Sequence, residues 1–204
     1  MHNQALHFNS RILEIKALGS VFDFLEKSVS GILDYTDILR AQIVYAVSAY
    51  DALLHDLIRE GMRDAYLGVR PSTPKFDAEA LTVSQHKALV AASVIPAHQQ
   101  FEDFARNKLK AMTFQHPDKV CDGLSLIWSE KYKWNQIAAK VGVDPAQHRT
   151  QQILWVGRRN SIVHEYDYDV ISGARLPISK PEAESAIEFF SACGNAVVDL
   201  VAHP

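Results

Sequence analysis

Apolar residues recur every three or four positions along most of this chain, a pattern that predicts helices rather than strands. The first helix is predicted over residues 8–29 and the second over about 36–62, with Gly31 between them. A further apolar helix is predicted at the end of the chain, after a start signal at Ser179-Lys180-Pro181-Glu182. The second helix is expected to face the core with one stripe of large side chains: Leu39, Ile43, Val47, Tyr50, Leu54, Leu57 and Ile58.

The middle of the chain predicts shorter helices. Residues 77–115 have a weaker helical pattern that Pro96 interrupts, and another helix is predicted to begin at Pro117-Asp118. A short helix over residues 134–141 is expected to end at Gly142. These elements together predict short additions to a larger helical framework.

Two local signals frame the next part of the chain. Asp144-Pro145-Ala146-Gln147 combines an N-cap residue, a proline in the first turn and a glutamine at the third helical position, which predicts a helix start. Residues 166–179 alternate in polarity around Ser172-Gly173, as in a small hairpin or an ordered loop. The whole pattern predicts an all-α protein, an up-and-down bundle with additional short helices, and its size predicts a single domain over residues 1–204.

The amino-acid composition argues against several classes of protein and of functional site. Hydrophobic residues make up 48% of the chain and the net charge is −3, which argues against nonspecific coating of nucleic acid. The two cysteines are far apart, so no disulfide framework is expected. No signal peptide and no uninterrupted apolar run near 18 residues is found, which predicts a cytoplasmic protein without a membrane span. The histidines outside the motif described next have no ligand spacing, so no metal or other cofactor is expected.

The candidate chemistry lies in one stretch, Arg159-Asn160-Ser161-Ile162-Val163-His164-Glu165-Tyr166, at the end of a predicted apolar helix. A guanidinium binds phosphate bidentately, and an imidazole titrates near neutrality. Metal-free RNA cleavage needs these two groups, because the 2′-hydroxyl must lose a proton and the leaving 5′-oxygen must gain one. The spacing of one arginine and one histidine also fits a solvent-exposed helix end, where a histidine interacts favourably with the helix dipole.

The positions of these residues on a helix limit how they can cooperate. Arg159 and His164 are about 140° apart on a regular helix, since each residue turns it by about 100°. Three arrangements would bring them to one phosphate: Arg159 reaches around with its long stem, the helix ends near His164, or a second subunit contributes. Asn160 precedes His164 by four residues on the same face, where it could orient the imidazole or hold a phosphate.

The Arg-Asn-x-x-Val-His-Glu-Tyr pattern at the end of an apolar helix resembles the HEPN superfamily, whose signature is an arginine, four to six residues and a histidine. Tyr166 extends the match to the Arg-x4-His-x-Tyr form of HEPN toxins paired with nucleotidyltransferase antitoxins. The helix over residues 40–58 and the segment beginning Trp134-Asn135-Gln136 are similar to the RiboL-PSP type of HEPN domain. The resemblance covers roughly residues 30–200, and it marks 64–116 as a subgroup-specific insertion or variable helices.

The resemblance implies a metal-independent endoribonuclease that acts as a homodimer, as a toxin or defence effector, with an antitoxin or ATPase as a partner. Arg159 and His164 would be catalytic, and the products would carry 2′,3′-cyclic phosphate and 5′-hydroxyl ends. Tyr166 would contact RNA or accept nucleotides from the antitoxin, against the simpler interpretation of a tyrosine that packs the helix end. The alternative is a noncatalytic HEPN module that binds nucleic acid or a partner protein.

Three assignments stay open at this level. Asp51 lies in an apolar stretch and either pairs with Arg159 or faces solvent. Arg158 is the other candidate cation, although the asparagine that directly follows Arg159 favours the latter. Residues 136–143 and the helix after them superficially resemble a DNA-binding helix-turn-helix, but the following helix leads into apolar residues where a DNA reader would expose polar ones.

Overall fold

The structure, a computed structural model, describes residues 2–29, 34–91, 94–169 and 171–202, and over these ranges the protein is all-α. The turn predicted at Gly31 lies outside the described residues. In chain order the helices are α1 (His2–Ser28), α2 (Asp37–Tyr66), α3 (Pro74–Asp77), α4 (Val83–Val90), α5 (Ala97–Leu109), α6 (Pro117–Leu124), α7 (Lys133–Val141), α8 (Pro145–His164) and α9 (Lys180–Ala202). Helices α1, α2, α8 and α9 have 20 residues or more, and the others are short additions, as the sequence pattern predicts.

Helix α2 is the centre of the fold and packs against α1, α5, α8 and α9. All seven residues of its predicted core stripe are buried. Tyr50 lies in the middle of α2, with its ring 5.4 Å from that of Phe190, and its hydroxyl accepts a hydrogen bond from the Cys193 thiol at 3.3 Å. Burial raises the pKa of Cys193 to about 12, so this thiol stays protonated and takes part in packing rather than in reactions.

Helix α9 supplies the other large apolar surface of the core. By length and composition it could cross a membrane, alone among the helices in the described part of the chain. Half of its most apolar stretch is buried inside the protein, including Ile187, Phe190 and Val197. A core helix can be as long and as apolar as a membrane-spanning one, and these buried contacts are typical of a core helix.

The turn and capping residues predicted from the sequence define where α8 begins. Gly142 ends α7 in the left-handed region with a φ of 83°, where glycine adopts the backbone at low cost. The Asp144 side chain then accepts a hydrogen bond from the Gln147 amide at 2.9 Å and caps α8. After α8, Tyr168 and Arg175 form an isolated antiparallel bridge on either side of Ser172-Gly173, where the sequence predicts a small hairpin or an ordered loop.

Candidate functional site

The motif occupies the last turns of α8, which ends at His164. Three arrangements were considered for Arg159 and His164 to act on one phosphate. The one present in this single chain is a helix that ends at His164. Arg159 lies on the inward side of α8 and is partly buried, whereas His164 is exposed at the helix end. The His164 ring makes no hydrogen bond or ion pair with the described residues, so none of them fixes its orientation by such a contact.

Arg159 keeps most of its hydrogen-bonding capacity free. Its Nη1 donates to the Asn160 side-chain oxygen at 3.0 Å, and its buried Nε has no hydrogen-bond partner within the described ranges. No carboxylate among the described residues lies within ion-pair distance of this guanidinium. A partly buried arginine without a counter-ion is unusual, because desolvating the charge has a cost that a partner normally offsets. Arg159 is thus placed to receive an anion.

The neighbouring arginine has a different environment. Arg158 Nη2 donates to Asp167 Oδ2 and to the Pro177 carbonyl oxygen, both at 2.9 Å. Arg40 reaches the same Asp167 oxygen from α2, with its Nε at 2.7 Å. Asp167 is fully buried, so this pair of cations and one carboxylate is a structural ion cluster that joins α2, α8 and the loop after α8. Between the two candidate cations of the sequence, Arg159 is the one that remains unpaired.

Asp167 also imposes an unusual backbone on the end of the motif. Tyr166 and Asp167 have φ values of 54° and 61°, the left-handed region that side chains with a Cβ rarely adopt. The Asp167 amide donates to the Ser161 carbonyl oxygen at 3.0 Å, and its own carbonyl oxygen accepts from the Leu176 amide at 2.8 Å. Such residues typically cost about 1–3 kcal/mol each and persist where the surrounding structure holds them. The loop is therefore fixed by the buried cluster and its backbone contacts.

This backbone turns Tyr166 outward beside a second aromatic ring. The Tyr166 side chain is exposed, and its ring lies 6.0 Å from the ring of Tyr168 at an interplanar angle of 19°. The guanidinium carbon of Arg175 lies 4.5 Å from the Tyr166 ring centroid. Arg175 is in turn paired with Asp37 and Asp34 at the start of α2. Tyr166 thus contacts a neighbouring cation and a second tyrosine ring, and its contact with RNA stays a prediction.

Asp51 and Asn160 are the other two residues to which the sequence analysis assigns candidate supporting roles. Asp51 does not pair with Arg159: its carboxylate accepts from the Phe114 amide at 2.6 Å and lies 3.9 Å from His55 Nε2. Its function is to hold the chain that follows α5, because Phe114 carries an amide that needs an acceptor near the core. Asn160 makes no hydrogen bond to His164 among the described residues: its side-chain oxygen accepts from Arg159. A contact between Asn160 and a phosphate stays a prediction.

Three residues of this region were missed in the sequence: Arg40, Asp167 and Arg175. The sequence contains one signal for Arg40, its position next to Leu39, a core residue of α2. A charged side chain close to the core needs a partner. Asp167 directly follows the motif, but nothing local indicates that it is buried. Its partner Arg40 is 127 residues away in sequence, so the pairing depends on how α2 and α8 pack.

The outward side of α8 carries two exposed apolar residues and a glycine. Exposed Ile153 and Leu154 are followed by Gly157, Asn160 and His164, which recur at helical spacing along this side. A Cβ placed on Gly157 would meet no atom within 4 Å. Glycine lowers helix stability relative to alanine, and nothing within this chain requires it there. The feature is typical of a helix face that another helix approaches closely.

Comparison with known protein families, curated proteins and solved structures found no match to this chain. Among the residues that the structure describes, no group of three histidine, cysteine or acidic side chains is arranged as in a metal site. The functional conclusion therefore depends on the residues themselves.

Proposed function

We propose that this protein is a metal-independent endoribonuclease of the HEPN type that works as a symmetric homodimer. The observation that carries the proposal is the contrast between the adjacent arginines. Arg158 is neutralised by a buried carboxylate, whereas Arg159 is partly buried without one, on the same helix that ends at an exposed histidine. An unpaired guanidinium on the same helix as an exposed imidazole suits a phosphodiester substrate.

The proposed mechanism assigns one role to each group. The 2′-hydroxyl of RNA attacks the adjacent phosphate, and the bond to the 5′-oxygen breaks. His164 moves the proton from the attacking hydroxyl or to the leaving oxygen, and the Arg159 guanidinium stabilises the charge that develops on the phosphate. The products are a 2′,3′-cyclic phosphate and a 5′-hydroxyl.

The outward side of α8 supports a dimer. In one chain Arg159 and His164 lie on different sides of the helix, and a two-fold contact along Leu154, Gly157 and His164 would bring both copies of the motif to one cleft. Small residues allow the two backbones to approach closely, and the exposed apolar residues give the contact a reason to form. RNA is then the substrate of the cleft, and an antitoxin or ATPase remains the proposed regulatory partner.

The alternative function is a noncatalytic HEPN module that binds nucleic acid or a protein. It is favoured by the absence of any hydrogen bond between His164 and the described residues, since such a bond would orient the ring for proton transfer. The two functions share a dimeric, anion-binding cleft and differ in whether RNA is cut.

Cleavage of bulk tRNA or mRNA in EDTA tests the choice, with the product ends analysed. His164→Ala and Arg159→Ala should each abolish cleavage while the circular dichroism spectrum stays unchanged. His86→Ala, at an exposed helical histidine on α4, and Arg149→Ala, at the other end of α8, are the matched controls and should cleave normally. Undiminished cleavage by His164→Ala would remove that residue from the mechanism, and loss of activity in EDTA would remove the metal-free chemistry.

A further inference from the structure

The loop that follows α8 presents an aromatic surface to solvent. Tyr166 and Tyr168 have 63% and 45% of their side chains exposed, and their rings are nearly parallel at 19°. Neither hydroxyl makes a hydrogen bond with the described residues. Exposed aromatic pairs that are held in a fixed orientation are the usual contact surface for unstacked nucleobases.

The surface is held in place by the body of the protein. Asp167, between the two tyrosines, is fully buried against Arg40 and Arg158. Its left-handed backbone turns the side chains of its two neighbours outward, and the Tyr168–Arg175 bridge closes the loop. A pre-organised surface binds more tightly than a mobile one, because less conformational freedom is lost on binding.

Arg175 supports this surface and does not compete for phosphate. Its guanidinium stacks on Tyr166, its Nη2 donates to Asp37, and its Nη1 lies 3.6 Å from Asp34. Since Arg175 is already paired with two carboxylates and Arg159 with none among the described residues, phosphate binding is assigned to Arg159 and ring stacking to the tyrosines. The tyrosine rings therefore contact the flat face of a base.

We propose that Tyr166 and Tyr168 form a base-stacking subsite for single-stranded RNA, which holds a nucleotide next to the phosphate that His164 and Arg159 act on. This proposal rests on the proposed function for the identity of that phosphate. Two residues span at most about 7 Å, so Tyr166 lies close to His164 and the stacked base belongs to the scissile nucleotide or its neighbour. The subsite selects unpaired loops, because the bases of a duplex are already stacked on each other.

The test measures binding separately from cleavage. The probe is a fluorescent 12-nucleotide 2′-O-methyl RNA, whose blocked hydroxyl cannot attack, and anisotropy reports the Kd of the full-length protein. Tyr166→Ala and Tyr168→Ala should each weaken binding by roughly 5- to 100-fold, the range for loss of one base–aromatic stack, whereas Tyr166→Phe should bind like the unchanged protein. Tyr132→Ala is the matched control, because Tyr132 is an equally exposed tyrosine with the Lys131 ammonium 5.3 Å from its ring centroid.

A second measurement leaves the protein unaltered, in case Tyr166→Ala disturbs the loop. Probes with single abasic positions are compared with the intact probe, and one position should lose affinity by a similar factor. Tyr166→Ala or Tyr168→Ala should show no further loss with that abasic probe. A duplex of the same sequence should bind more weakly than the single strand.

The outcomes separate the two proposals. If the tyrosine variants or the abasic probes bind as tightly as the reference, or if no probe binds, the stacking subsite is wrong whether or not RNA is cleaved. If the tyrosine variants and one abasic probe lose affinity but the unchanged protein cuts no RNA, the ribonuclease proposal fails and the subsite is retained as a nucleic-acid contact.

Discussion

Replacement of Gly157 separates the stability of the single chain from the stability of the proposed dimer. Gly157 lies inside α8 on its outward side, and an added Cβ would meet no atom within 4 Å. Alanine favours a helix interior over glycine by about 0.5–1 kcal/mol. Gly157→Ala should therefore stabilise an isolated chain and raise its Tm by roughly 1–4 °C, given the size of the protein.

A larger side chain at the same position has the opposite effect on association. Gly157→Leu fills the space that a second copy of α8 needs, and overpacking a contact typically costs about 1–3 kcal/mol. A two-fold axis repeats the cost, so the dimer should lose about 2–6 kcal/mol, which raises its Kd at least about 30-fold. The free energy of unfolding of the dissociated chain should not fall, because the leucine faces solvent there.

The assay combines light scattering over a range of concentrations with thermal unfolding at a concentration where the chain is dissociated. Ser185→Leu, at an exposed position of α9, is the control for adding an apolar surface residue and should leave the oligomeric state unchanged. RNA cleavage by Gly157→Leu should fall together with dimerisation. A Gly157→Leu protein that dimerises like the unchanged protein would refute the α8 contact, as would a chain that is already monomeric at micromolar concentration.

Three further outcomes are expected. Asp167→Ala should lower the free energy of unfolding in urea by about 3–5 kcal/mol, because two arginines then lose their shared buried carboxylate; an unchanged midpoint would contradict the cluster. Burial lowers the pKa of His148, which is packed between Trp134 and Phe189, so the unfolded chain takes up the proton more readily. The free energy of unfolding should consequently fall as the pH drops below about 6.5. Urea titrations at several pH values measure this decrease, and His148→Phe should remove the contribution of His148 to it. After co-expression with a nucleotidyltransferase, mass spectrometry should find added nucleotide on Tyr166 and none on the Tyr166→Phe protein. An unmodified Tyr166 in a silenced enzyme would show that inhibition uses another route.

The sequence predicted those features that depend on neighbours along the chain. The period of apolar residues predicted α2, and its whole core stripe is buried because one helix face meets α1 and α9. Capping chemistry predicted the start of α8, where Asp144 accepts from the Gln147 amide, and the end of α7 at Gly142. These signals act within a few residues, so one sequence is sufficient to read them.

The candidate site was predictable in its location but not in its contacts. Spacing indicated that Arg159 and His164 do not share a face, and the structure agrees. The partner of Asp51 is a backbone amide 63 residues away, which no spacing rule identifies. Whether an arginine is paired also depends on the packing of separate helices, and that is why Arg158 and Arg159 remained alternatives until the position of Asp167 was known.

The two adjacent arginines explain how one helix end can be held firmly and still carry an unpaired cation. An unpaired, partly buried guanidinium tends to move towards solvent or towards a carboxylate, unless the backbone that carries it is held firmly. Arg158 supplies that hold, because it fixes α8 to Arg40 of α2 through the single buried carboxylate of Asp167. Arg40 and Arg158 both donate to Asp167 Oδ2, so this carboxylate is already paired, and Arg159 keeps its donors for a ligand. Because Arg40, Arg158 and Asp167 hold this helix end together, the neighbouring Arg159 can remain unpaired.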